Sequence, residues 1–296
     1  MNKRLIVGII ILYNPDKERL SQCIGSIIRQ LDYLIFINNS DESIDINYSD
    51  DPKIIKIDCN ENLGIAAAQN IGLSKAIELL ATEILLSDQD TIFPENYLGQ
   101  MTCVLDREVS ACAVVPCLED DRGLITKSRI KIRRWGMKWR LNPSADKVMD
   151  VVEAPASGMV MKVDALKIIG PFREELFIDL VDLEWCWRAR KTNFRVLSAG
   201  HICINHRLGN SKIRVLFKTL NSRHPMRSYY IARNTLFLAI RSRDISVFDR
   251  FGLYIDCIKY LIGFSLFFNP HYSHFVYSLR GFFHALIGKM GKLSDV

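Results

Sequence analysis

The sequence predicts an α/β fold, a mostly parallel central sheet with helices on both faces. Short strand-like apolar runs occur at 5–12, 34–37, 54–57 (interrupted by Lys56) and 84–86, and helical patterns fill 17–31 and 66–80. Strands buried on both faces and joined by crossover helices make a parallel sheet. The third observation is where polar side chains fall. Asn14 follows the first run, Asn38-Asn39-Ser40 the second, and Asp88 and Asp90 the fourth. Sheets of this kind bind ligands outside the carboxyl ends of their strands.

Taken in order, the run 5–12 follows Lys3-Arg4 and imitates a secretion signal. It is short and ends in Tyr13-Asn14-Pro15-Asp16 rather than a small-residue cleavage site, so a buried first strand is expected. Beyond residue 110 the pattern becomes mixed, with strands near 111–116, 159–162 and 194–197 and a helix over 182–191. Residues 211–296 read as mainly helical. The expected organisation is an α/β domain over 1–210 and a basic helical region over 211–296.

A chain of 296 residues can bury one large core or a core plus an appendage. Its net charge of +6 is uneven. Residues 211–296 carry 13 Lys/Arg against 4 Asp/Glu, which leaves 1–210 at −3. A basic, aromatic-rich tail suggests an anionic partner. Residues 127–140 add seven cations, two Trp and no acid, a composition suited to lipid headgroups. No nucleic-acid-binding module accompanies these cations, so nucleic acid is not the expected partner. The apolar stretch 251–268 is broken by Asp256 and Lys259, short of the roughly 20 apolar residues a membrane span needs. Amphipathic helices lying on a membrane, or forming a homo-oligomer interface, are both compatible with it. Eight cysteines without C-x-x-C pairs fit reduced thiols in a cytoplasm.

Asp88-Gln89-Asp90 ends the apolar run 84–86 with two carboxylates, hard oxygen ligands suited to Mg²⁺ or Mn²⁺. Upstream, the small-residue turn from Asn62 through Gly64, Ala66 and Ala68 to Asn70 and Gly72 opens a helix. Downstream lies an acidic segment with Asp179, Asp182 and Glu184, then Tyr229-Tyr230-Ile231-Ala232-Arg233-Asn234. Glu184 with Arg188 also has the spacing of an ordinary helical ion pair.

This constellation resembles glycosyltransferase family 2, whose fold is GT-A, and is most similar to the rhamnosyltransferases of bacterial O-antigen and capsule assembly. The resemblance implies nucleotide-sugar contacts from Tyr13, Asn14, Asn38, Asn62, Gly64, Asn70, Asp88 and Ser157. It implies metal ligation by Asp90 and His206, with Mg²⁺ or Mn²⁺ as cofactor, and a catalytic base at Asp182. The family commonly has Asp where this chain has Asn38, which can accept from a base N–H but brings no charge. The implied reaction is inverting transfer of L-rhamnose from dTDP-L-rhamnose to a polyprenyl-diphosphate-linked glycan, at the inner face of the bacterial cell membrane. A UDP-hexose donor, or an inert nucleotide-sugar-binding scaffold, are the alternatives. A nucleotidyltransferase would present a glycine-rich basic phosphate loop where Tyr13-Asn14-Pro15-Asp16 stands.

Overall fold

The computed structural model describes residues 3–44, 51–119, 131–134, 137–140, 147–205, 212–215, 218–221 and 224–294. Two compact units form: Met1–Phe172 with Asp182–Arg207, and Arg173–Val181 with Leu208–Val296.

The first unit begins with β1 (Ile6–Leu12), α1 (Lys17–Ile27), β2 (Tyr33–Asn38), β3 (Ile54–Asp58), α2 (Ile65–Glu78) and β4 (Glu83–Asp88). It continues through α3 (Tyr97–Arg107), β5 (Ala111–Glu119), β6 (Lys131–Arg134), β7 (Met137–Arg140), β8 (Val148–Val151) and β9 (Met159–Lys162). It closes with α4 (Val163–Ile169), α5 (Val181–Lys191) and β10 (Arg195–Asn205). Eight of these strands form one sheet in the order β3-β2-β1-β4-β9-β5-β10-β8. β1 to β4 are mutually parallel, as the apolar runs predict, while β9 runs antiparallel to both its neighbours and β8 antiparallel to β10.

Every residue of β1 is buried, because it lies inside the sheet with helices on both sides. Ile6, Ile10 and Leu12 join residues of α1 and α3 in one apolar cluster, whereas Ile9 turns the other way, towards Gly72 of α2. Burying each such side chain contributes about 1.5–3 kcal/mol, set against a comparable cost of ordering the chain. A Cβ at Gly72 would lie 2.5 Å from the Ile9 side chain, so the glycine sets how closely α2 approaches the sheet. α1 starts at Asp16, whose carboxylate accepts from the N–H groups of Glu18 and Arg19.

Three local features differ from expectation. β3 is only partly buried, being the sheet edge rather than an interior strand. α3, α4, β6, β7 and β8 arise where no element was expected. β11 (Lys212–Val215) and β12 (Lys218–Asn221) pair as antiparallel strands in a region expected to be mainly helical.

In the second unit that strand pair precedes α6 (Pro225–Arg241), α7 (Val247–Phe267) and α8 (His271–Ile287). α6 carries the buried face, with Tyr229, Tyr230, Arg233 and Asn234 all enclosed. Gly281 of α8 lies where a Cβ would come within 2.5 Å of the Tyr229 carbonyl, so only glycine allows this helix crossing. Ser228 and Tyr229 bond to the Nδ1 atoms of His274 and His284, each at 2.7 Å. The Arg233 guanidinium lies over both tyrosine rings and donates to the Leu176 carbonyl. Asn234 Nδ2 donates to the carbonyls of Leu176, Ile178 and Asp179 at 2.8–3.0 Å. That amide clamps a segment in which Phe177, Asp179 and Leu180 all take a left-handed backbone at φ +64°, a costly conformation for non-glycine residues.

All eight cysteines are free thiols. Burial pushes Cys23 and Cys112 up to about 12, so both behave as small hydrophobes.

Candidate active site

Strand register brings the polar strand ends to one level. Asp88 pairs with Ile11, Leu12 with Asn38, and Asn38 with Asp58, so β4, β1, β2 and β3 end together. The loops beyond them are tied side by side. Tyr13 N–H donates to Gln89 Oε1 at 2.9 Å, and Gln89 Nε2 donates back to the Tyr13 carbonyl at 3.1 Å. Asn14, in a left-handed conformation at φ +44°, donates its N–H to Ser40 Oγ.

Asn38 is 1% exposed, and both ends of its amide are engaged. Its Oδ1 accepts from Ser40 N–H, and its Nδ2 donates to the Glu42 carbonyl and to Asp58 Oδ1. The amide oxygen expected to read a nucleobase is thus turned onto the protein's own turn. The charge beside it belongs to Asp58, a third exposed and also paired with Lys56 at 3.2 Å. Sequence reading passed over Asp58 because the apolar run stops one residue earlier.

Asn62 Oδ1 accepts from Asn39 and from Gly64 N–H, shaping the turn into α2. Gly64 caps that helix at φ +87°, a conformation that suits glycine alone. Asn70 is buried and exchanges two hydrogen bonds of 2.9 Å with the Phe172 backbone. The small residues Ala66 and Ala68 are fully buried in packing.

The acidic groups meet at one short segment. Ser157 Oγ donates to Asp88 Oδ2, while the neighbouring Ala156 N–H donates to Asp182 Oδ2 at 3.3 Å. Asp88 and Asp182, 94 positions apart in sequence, are therefore held by consecutive residues. The other carboxylates of the acidic segment have different occupations. Glu184 is fully buried, with both oxygens 3.0 Å from Arg188 Nε. Arg188 also donates to the carbonyls of Ile169 and Pro171. Asp179 accepts two-pronged bonds from Arg227 at 2.9–3.2 Å.

Asp90 is partly exposed, and its carbonyl accepts from Arg19 Nε at 2.8 Å. The same guanidinium reaches Asn205 Oδ1, the residue at the end of β10. Arg19 links two positions 71 and 186 residues away, which no local pattern could reveal. Asp88 and Asp90 offer hard oxygen donors of the kind that suit a divalent cation. Among the described residues no cluster of three His, Cys, Asp or Glu occurs, and His206 lies outside them.

The glycosyl transferase family 2 profile matches residues 9–169. The dTDP-rhamnosyl transferase RfbF of Shigella flexneri is 26% identical over 242 residues, 81% of each chain. Among solved structures, S. aureus TarS 1–349 in complex with UDP-GlcNAc matches with a TM-score of 0.62 at 12% identity, over 95% of this chain and 81% of that one. GalNAc-T7, crystallised with UDP, GalNAc and Mn²⁺, matches with a TM-score of 0.57 at 12% identity, over 88% of this chain. This chain spans 56% of the GalNAc-T7 length. The two structural likenesses are likenesses of fold.

Proposed function

The chain belongs to glycosyl transferase family 2, and from that premise we propose that it moves L-rhamnose from dTDP-L-rhamnose, with inversion, onto a lipid-linked glycan. It is a glycosyltransferase of GT-A architecture with similarity to a dTDP-rhamnosyl transferase. The observation that supports inverting transfer is the holding of Asp88 and Asp182 by adjacent residues, Ser157 and Ala156, while the rhamnosyl donor rests on the similarity to RfbF. That arrangement sets a carboxylate suited to donor binding beside one suited to proton removal.

In this reading Asp182 takes the proton of the acceptor hydroxyl as that oxygen bonds to the anomeric carbon. The anomeric C–O bond to dTDP breaks on the opposite face, and the nucleoside diphosphate leaves. Asp88, fixed by Ser157, receives the donor, while Asn14, Asn62 and Gly64 shape the surrounding turns. Asn38 and Asn70 act as positioning residues, and Asp58 supplies the polar group facing the base. Asp90, with Asp88 and His206, would hold a divalent cation, which when bound neutralises charge on the departing diphosphate. Mn²⁺ in GalNAc-T7 supports a divalent ion of this kind. Residues 1–210 would form the donor-binding and catalytic domain and 211–296 the region that meets the membrane, at its cytoplasmic face. An O-antigen or capsular product fits this acceptor class.

UDP and UDP-GlcNAc in the two structural relatives favour a UDP-sugar donor as the second reading. Thermal stabilisation with Mg²⁺ across dTDP-rhamnose, dTDP-glucose, UDP-glucose and UDP-GlcNAc separates the two, because a ligand raises stability by mass action. Selective stabilisation by dTDP-rhamnose that disappears in Asp90→Ala is the expected result. Preference for a UDP-sugar would overturn the donor while leaving the enzyme class standing.

A further inference from the structure

The outward face of α7 and α8 inverts the usual pattern of a helix in water. In α8 the buried residues are His274, Ser278, Gly281, His284 and Ala285, with no large apolar side chain among them, while the exposed side holds Phe275, Leu279, Phe283 and Leu286. No position of α8 carries Asp, Glu or Lys, and its one Arg, Arg280, is half-buried. α7 exposes Phe251, Ile255, Ile258, Ile262 and Leu266 at steps of four, four, three, four and four from Val247. Phe251, Ile258 and Leu266 are each more than 60% exposed. A row of exposed apolar side chains along each helix marks a face that something else covers.

We propose that this face docks onto an anionic lipid bilayer, with α7 and α8 lying in the headgroup plane. No described helix is long and apolar enough to cross a membrane, so the helices lie on the surface rather than span it. Charge selects lipid over a second copy of the chain. Lys289 and Lys292 follow α8, and Arg241 donates to the Leu286 carbonyl at the end of α8, whereas Lys259 of α7 is paired with Asp256 at 3.3 Å. Lys289, Lys292 and Arg241 are exposed. Two copies meeting through the same face would bring these cations together, whereas anionic headgroups meet them with opposite sign. Tyr254 and Tyr272, exposed with apolar rings and polar tips, suit the same boundary. The proposal deepens the reading of a lipid-linked acceptor, and its test uses no sugar donor, so docking and transfer can fail separately.

The test is sedimentation of the full chain with phosphatidylcholine vesicles, with and without phosphatidylglycerol. Binding that requires phosphatidylglycerol and weakens with salt is expected. Ile258→Glu and Leu279→Glu should each lower vesicle affinity about tenfold or more. Both positions are exposed, so thermal melts of the variants should match the parent. Absence of vesicle binding, or binding unaltered by both substitutions, would overturn the proposal. So would a lipid-independent dimer, seen by light scattering, that both substitutions split into monomers.

Discussion

Asn38 and Asp58 end neighbouring strands and meet side chain to side chain, Asn38 Nδ2 donating to Asp58 Oδ1 over 2.7 Å. The negative charge that the family commonly places at the end of the second strand is here one strand over, at the sheet edge. Asn38 holds that carboxylate in place while using its own oxygen to close the turn at Ser40.

Asp58→Ala should therefore weaken dTDP binding about tenfold, the loss expected for one hydrogen bond to a charged group. Calorimetric titration reads the affinity, and a thermal melt checks the fold. Unchanged affinity would remove Asp58 from the site.

Asp182→Asn should lower turnover about 10²–10⁴-fold, the range for loss of a general base. Affinity for dTDP should stay within about twofold, because the amide can still accept from Ala156 N–H. Near-normal turnover in this variant, with the donor bound, would exclude Asp182 as the base.

Arg19→Lys should fall short of wild type almost as far as Arg19→Ala does. One guanidinium serves the Asp90 carbonyl and Asn205 together, and an ammonium lacks that fork. A drop in turnover of about tenfold in both variants is expected, from displacement of the Asp90 loop. Full activity in the lysine variant would show that charge alone suffices.

Asn234→Ala should cost about 1–3 kcal/mol, since three carbonyls lose their shared donor and the left-handed segment 177–180 loses its clamp. Urea unfolding gives the number. A change within experimental scatter would mean that Arg233 holds the segment without help.

Stability should also depend on pH through the helical unit. Burial lowers His274 and His284 below the ordinary histidine value near 6.5, with the positive Lys289, Arg280 and Arg233 adding to the effect at His284. In the folded unit both rings take up protons less readily than in the unfolded chain, which protonates them as pH falls through about 6.5. The unfolded state then binds more protons, so stability is intact above that value and declines as pH falls below it. Urea midpoints at about pH 7.5 and 5.5 should differ in that direction. Substituting both histidines by Gln should flatten the difference.

The parallel half of the sheet was legible because β1, β2 and β4 are apolar throughout and end abruptly in polar residues. β3 was legible as a strand but not as an edge, since Ile54, Ile55 and Ile57 look interior whatever lies beyond them. The strand pair β11 and β12 hid inside a tail whose composition is helical, as each strand is only four residues long. Of the candidate site, Asp88 and Asp90 were visible as strand-end residues and Asp182 as part of an acidic segment, while Asp58 was passed over. What holds these residues was not visible, because Arg19 sits inside a helix and Ser157 in a turn, and their partners lie 69 to 186 positions away. Glu184 and Asp182 share one acidic segment, and the i,i+4 spacing that marked Glu184 as a partner for Arg188 is realised as a buried pair.

Gln89 gives the middle letter of the acidic triplet a grammar of its own. Its side chain both accepts from and donates to the backbone of Tyr13, as a neighbouring strand would. A glutamate there could repeat only half of that exchange and would set a negative charge against the Tyr13 carbonyl. The amide makes the loop after β1 and the loop after β4 move as one piece. A ligand that orders either loop has then already met part of the entropic cost of ordering the other.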